Sequence, residues 1–148
     1  MAMNSKIDAI LAAKGQRPLA EMTAYDYPTA RLLDEVGYDM ILVGDSLGMM
    51  VLGFPDTTQV TLAHMLHHGE AVARAVKKAV VILDMPIHTY DTPEQALETG
   101  RRMMETGVDA VKLEGGADKE GQSAALGRGG SSGQAYLGPL AEKGRGGG

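Results

Sequence analysis

Short apolar runs alternate with amphipathic stretches from residue 17 to residue 114. Three runs have the length and residue types of buried strands: Met40-Ile41-Leu42-Val43-Gly44-Asp45, Val80-Val81-Ile82-Leu83-Asp84 and Ala110-Val111-Lys112-Leu113-Glu114. Each ends on a carboxylate. A shorter run, Arg17 to Thr23, precedes them. Asp26-Tyr27-Pro28 opens a helix that carries Ala30, Leu33 and Val36 inward and stops at Gly37. Thr61 caps a second helix, on which Leu62, Met65, Leu66, Gly69, Val72, Ala73 and Val76 form one apolar stripe. Thr92-Pro93-Glu94-Gln95 starts a third, which stops at Gly107. Ser5 caps a short leading helix over Lys6–Lys14, and Leu47 to Val60 reads as a loop rich in glycine and methionine.

This strand–helix alternation predicts an α/β fold with a parallel sheet. Four such units are about half of a closed (β/α)8 TIM barrel, which needs about 250 residues. Ligands in such folds sit at the C-terminal ends of the strands, so Asp45, Asp84 and Glu114 are expected on one edge of the sheet. Oxygen donors without sulfur or imidazole suit a hard cation, Mg²⁺ first. As single residues, Asp45 and Asp84 also suit helix caps. Alternation puts Lys112 on the same face as Ala110 and Glu114, while Val111 and Leu113 face the other way. An inward lysine needs an anion, either a ligand or Glu114 itself. His64, His67 and His68 fall off the apolar stripe, on the solvated side of their helix. Tyr25 closes the first strand, where it either reaches the site or packs with a backbone partner.

Composition narrows the class. The net charge of −5 argues against a nucleic-acid partner. The chain has no cysteine, which removes disulfides and thiolate metal sites and suits a cytoplasmic location. No run approaches the roughly 20 apolar residues of a membrane span. From Gly116 to Gly148 the character changes, with 11 glycines in 33 residues. The predicted organisation is therefore a half-barrel over residues 1–117 and a disordered glycine-rich tail over 118–148. The tail is read either as a flexible segment or, by preference, as the product of a reading-frame shift near residue 120.

Five motifs occur in order along residues 4 to 118: Thr23-Ala24-Tyr25-Asp26-Tyr27, Val43-Gly44-Asp45-Ser46-Leu47-Gly48, Val60-Thr61-Leu62, Asp84-Met85-Pro86 and Val111-Lys112-Leu113-Glu114-Gly115-Gly116. Together they resemble the ketopantoate hydroxymethyltransferases. The resemblance implies the phosphoenolpyruvate mutase/isocitrate lyase type of barrel. It also implies Mg²⁺-dependent transfer of a hydroxymethyl group from 5,10-methylenetetrahydrofolate to 3-methyl-2-oxobutanoate, a step of pantothenate and coenzyme A synthesis. By the same resemblance Asp45 and Asp84 hold the metal, Glu114 binds it directly or through water, and Ser46 and Lys112 hold the substrate carboxylate. This fits the chemistry of a 2-oxo acid, which chelates a cation through its ketone and one carboxylate oxygen. The family's base, a glutamate on a later strand, and its glycine–histidine segment have no match, so the chain as given is expected to be inactive. The competing readings are a 2-oxo-acid lyase or mutase of the wider superfamily, and a non-enzymatic truncated product. The family forms homo-oligomers; for half a barrel, exposed edges predict self-association or aggregation.

Overall fold

The computed structural model describes residues 4–129 and 135–137. Five parallel strands form one sheet in chain order: β1 (Glu21–Thr23), β2 (Met40–Val43), β3 (Val80–Asp84), β4 (Ala110–Lys112) and β5 (Ala135–Leu137). The helices are α1 (Ser5–Ala13), α2 (Tyr27–Val36), α3 (Leu47–Met50), α4 (Leu62–Ala75), α5 (Pro93–Met104) and α6 (Glu120–Gly129). This is the strand–helix order of the first half of a (β/α)8 barrel. No described helix is long and apolar enough to cross a membrane.

The pleat divides the sheet into two cores. Ile41, Val43, Val81, Leu83, Val111 and Leu113 face the helix layer and pack with Ala30, Met65, Val72, Ala96 and Met103. The stripe predicted for α4 is the face it buries. Gly69 sits where α4 crosses β3, and a Cβ there would lie 2.8 Å from Leu83 Cδ2, so the helix requires glycine at that contact. The opposite strand face, Val80, Ile82 and Ala110 with Met40 and Leu42, is covered by Ile7 and Ile10 of α1. α1 is fastened to the start of β4, because Asn4 Nδ2 and Lys6 Nζ both donate to the Asp109 carboxylate, at 2.9 and 3.3 Å.

Carboxylates also organise the N-terminal ends of the strands. α2 and α5 lead out through glycines in the left-handed region, Gly37 and Gly107, and two residues later comes an aspartate. Asp39 accepts the Ala20 N–H and both Arg17 guanidinium nitrogens. Asp109 accepts the Val81 N–H. Asp34, buried on α2, accepts the backbone N–H groups of Lys77, Lys78 and Ala79 and so fixes the turn that feeds β3.

Four expectations are corrected. Asn4, rather than Ser5, caps α1, because its side chain reaches the N–H groups of Lys6 and Ile7. The segment 47–60 holds α3 and a 3-10 turn at Thr57–Gln59. His68 is not on the solvated side: it is half-buried, and its Nδ1 lies 2.7 Å from the Tyr25 carbonyl oxygen. A tail disordered from residue 118 does not describe α6 and β5. Despite its glycines, α6 has a side to bury, since Leu126 fills the space left by Gly100 on α5 and Gln122 donates to the carbonyls of Tyr90 and Asp91. The rest of that expectation, residues 130–134 and 138–148, lies outside the described residues.

Asp34 yields a stability prediction. Burial raises its pKa, but the N–H groups of Lys77, Ala79 and Lys78 outweigh this and leave it below the ordinary carboxylate value. Its contribution is therefore complete above the unfolded value near 3.8 and is lost as pH falls through the lower folded value. Asp34→Asn is expected to cost about 2 to 4 kcal/mol in urea unfolding at pH 7, with the gap to the parent chain closing in strong acid.

Candidate functional site

At the C-terminal edge of the sheet the register decides which side chains meet. Asp84 is paired with Lys112 across β3 and β4, and both point to the face that α1 covers lower down. Lys112 Nζ lies 3.2 Å from Asp84 Oδ1 and 3.8 Å from Glu114 Oε1. On the other side, Asp45 N–H donates to Asp84 Oδ2 at 3.1 Å. Gly44 stands between the two: a Cβ there would be 3.1 Å from Ser46 Oγ and 3.4 Å from Asp84 Oδ2. The absent side chain keeps the space beside Asp84 open.

Asp84 has a deficit. Its side chain is 7% exposed, and its 3.2 Å contact with Lys112 lacks the alignment of a hydrogen bond. Oδ1 is thus a buried carboxylate oxygen whose near donor among the described residues is the Lys112 ammonium, at 3.2 Å and poorly aligned. Burial raises the Asp84 pKa, and the Lys112 charge and Asp45 N–H only partly offset this. Burial first, then the negative charges of Asp84 and Glu114, push Asp45 up to about 6. Lys112 moves the other way: burial lowers its pKa, but Asp84, then Glu114 and Asp45, carry it above its ordinary value. With all four ionised, three carboxylates and one ammonium leave a formal charge of −2, the complement of a divalent cation.

Asp45, Ser46, Asp84 and Lys112 are thus brought together. Glu114 is at the same edge, but its side chain is 70% exposed and turned toward Lys112. Among the described residues no three His, Cys, Asp or Glu side chains form a ready-made metal set. Asp45 and Asp84 offer two carboxylates, oxygen donors of the type a hard cation takes together with water or ligand oxygens.

Two tyrosines complete the site. The Tyr25 hydroxyl lies 2.7 Å from Ser46 Oγ, so of the two possibilities raised for Tyr25 its side chain makes the site contact, while its own carbonyl is met by His68. Tyr90 was not legible. Burial raises its pKa; a backbone hydrogen bond from Glu114 opposes this, and the charges of Glu114, Asp45 and Asp84 add to it. It lies on the loop after β3, which α5 and α6 clamp through their side chains. Gln95 Nε2 donates to the His88 carbonyl, Thr99 Oγ1 to that of Thr89, and Gln122 Nε2 to that of Tyr90. His88 takes a φ of 64° in this loop, strained for a residue with a Cβ. No sequence motif marks Tyr90. His64 is engaged in the cap of α4, where it exchanges hydrogen bonds with Thr61.

Comparison with known proteins gives three findings. The ketopantoate hydroxymethyltransferase family profile matches residues 4–139. The chain is 58% identical over 106 residues to 3-methyl-2-oxobutanoate hydroxymethyltransferase of Pyrobaculum arsenaticum, covering 71% of this chain and 40% of that protein. It is 53% identical over 121 residues to the enzyme of the same name from Acetivibrio thermocellus, covering 78% and 43%. The chain thus spans about two fifths of the length of the curated relatives it matches. In fold it is similar to phosphonopyruvate hydrolase (TM-score 0.77, 15% identity, covering 92% of this chain and 52% of that one). It is also similar to phosphoenolpyruvate phosphomutase of Streptomyces platensis subsp. rosaceus (TM-score 0.76, 18%, covering 93% and 53%).

Asp45 gives a pH prediction. Its folded pKa of about 6 lies above the ordinary 3.8, so stability falls as pH rises between these values and is flat above them for this group. Without divalent cations, Asp45→Asn is expected to melt at a higher temperature than the parent chain at pH 7. That advantage should vanish near pH 4; an equal advantage at both pH values would show that Asp45 does not carry the strain.

Proposed function

The chain belongs to the ketopantoate hydroxymethyltransferase family, and from that premise we propose that it carries the metal- and carboxylate-binding part of a hydroxymethyltransferase site. The substrates are 3-methyl-2-oxobutanoate and 5,10-methylenetetrahydrofolate, the cation is Mg²⁺, and the setting is the cytoplasm and the synthesis of pantothenate. One observation carries the reading: the buried Asp84 carboxylate meets the Asp45 N–H on Oδ2 and the Lys112 ammonium, 3.2 Å away, on Oδ1, so two aspartates and one lysine converge at the sheet edge. A 2-oxo-acid lyase or mutase shares the fold alone.

Asp45 and Asp84 would hold Mg²⁺, and Glu114 would reach it through water. When bound, Mg²⁺ supplies a Lewis acid that chelates and polarises the 2-oxo acid. Lys112 places a positive charge against the substrate carboxylate. Its Nζ lies 3.2 Å from Asp84 Oδ1 and 3.8 Å from Glu114 Oε1, at the edge of the sheet where an arriving anion would meet it. Either hydroxyl can donate in the Tyr25–Ser46 contact; when Tyr25 donates, the Ser46 proton is free for a carboxylate oxygen. Gly44 keeps the approach open. No described residue matches the family's proton-abstracting glutamate. Binding is therefore the property assigned to this segment, and turnover belongs to the full family length.

Thermal shift separates these roles. Mg²⁺ is expected to raise the melting temperature at pH 7.5, and Asp84→Asn to abolish that shift. Adding 3-methyl-2-oxobutanoate should raise it further only when Mg²⁺ is present, by about 2.7 kcal/mol of stabilisation at a hundredfold excess over Kd. Lys112→Met should remove the second shift and spare the first. A substrate shift without Mg²⁺, or one that survives Lys112→Met, would sink the assignment.

A further inference from the structure

A second charged feature lies outside this site. α2 packs on α4, and between them runs a groove of about 410 Å³, within the usual range for small-molecule sites of about 300–1,000 Å³. Arg31 enters it from the middle of α2, Arg74 from the end of α4, and Lys77 and Lys78 from the turn before β3. Four cations thus meet in one concavity of a chain whose net charge is −5. Asp34 and Glu35 in the lining, and Glu70 beside Arg74, offset part of this charge and leave a formal balance of +1 from four cations and three carboxylates. Asp34 is turned onto three backbone N–H groups, and Glu35 is held by Arg31 at 3.0 Å.

The C-terminal carbonyls of α4 account for a cation at Arg74. They do not account for Arg31, which reaches the groove from the other helix. Arg31 and Arg74 are each paired only with an exposed glutamate one turn away on their own helix, Glu35 and Glu70, and their side chains are 62% and 67% exposed. Such pairs contribute little and exchange readily for a stronger anion. Lys77 and Lys78 have no carboxylate within ion-pair distance among the described residues, although their backbone N–H groups are fixed by Asp34. Two lysines on an anchored turn and two guanidiniums therefore line one groove, donors of the kind that phosphate oxygens take. Tyr27 lies at the other end of the groove with its ring about half exposed, a surface on which a flat head group can stack.

We propose that the groove between α2 and α4 is a second binding site, for a small molecule bearing two or more phosphate charges. Its cationic end lies at the start of β3, a full strand from Asp84, while Tyr27 stands at the start of α2. Binding here needs neither Mg²⁺ nor a 2-oxo acid, so its test is independent of the function proposed above.

The test is calorimetric titration of the protein in Mg²⁺-free buffer with inorganic pyrophosphate and, separately, with ADP. Saturable binding with a Kd of about 1 mM or tighter is expected for at least one probe. Lys77→Gln/Lys78→Gln should weaken it roughly tenfold without changing the far-UV circular dichroism. Arg74→Gln, at an exposed position, provides the same reading should the double variant fold poorly. Equal binding of the two probes assigns the site to phosphate alone. Tighter binding of ADP, with only that advantage lost in Tyr27→Ala, adds the stacked head group. Absence of binding by both probes, or affinities unchanged in the lysine and arginine variants, overturns the proposal.

Discussion

Strand β3 is buried at all five of its positions, and the last of them is a carboxylate. That constraint organises the edge of the sheet. A carboxylate taken out of water costs several kcal/mol unless a counter-charge meets it, and the counter-charge here comes from the register partner on the next strand. A slip of one residue between β3 and β4 would turn Lys112 into the helix layer, strand Asp84 and expose the apolar faces together. Apolar burial and the ion pair therefore select the same register.

Four aspartates that meet the sheet fall into two electrostatic classes. At the N-terminal side, Asp34 and Asp39 are met by backbone N–H groups, joined by Arg17 at Asp39, and both titrate below the ordinary carboxylate value. At the C-terminal side, Asp45 and Asp84 titrate above it, because burial and neighbouring carboxylates outweigh the single ammonium between them. The first class has what it needs from the protein and serves the fold. The second carries excess negative charge, the electrostatic signature that the proposed cation site would need.

The second class was partly legible in the sequence, because a strand's last residue is fixed by its apolar run and the parallel order fixes which edge it joins. Asp45, Asp84 and Lys112 follow from that logic, as do the caps at Asp26, Thr61 and Thr92 and the stripe of α4. What was hidden depends on side chains far along the chain. Tyr90 reaches the site because Gln95, Thr99 and Gln122 hold the carbonyls of an irregular loop, and no periodicity encodes such a clamp. His68 was misplaced because helical phase alone does not reveal a partner on another segment, the Tyr25 carbonyl. Composition misled at α6: glycine is a poor helix former, yet one Leu126 seated over Gly100 gives the segment an apolar contact to fold against.

Lys112 shows how one residue serves both folding and chemistry on the proposed reading. Without a ligand it must neutralise Asp84, or the sheet carries an uncompensated buried charge. A cation at Asp45 and Asp84 would relieve it of that duty, and an ammonium freed from its carboxylate is then drawn to the anionic end of the substrate. The exchange is inexpensive because the resting contact is unaligned and Glu114 stands within 3.8 Å to receive part of the charge. A lysine locked into a bidentate, fully bonded pair could not make that move. On that reading, the charge shared between Asp84 and Lys112 would be where metal binding and substrate binding become coupled.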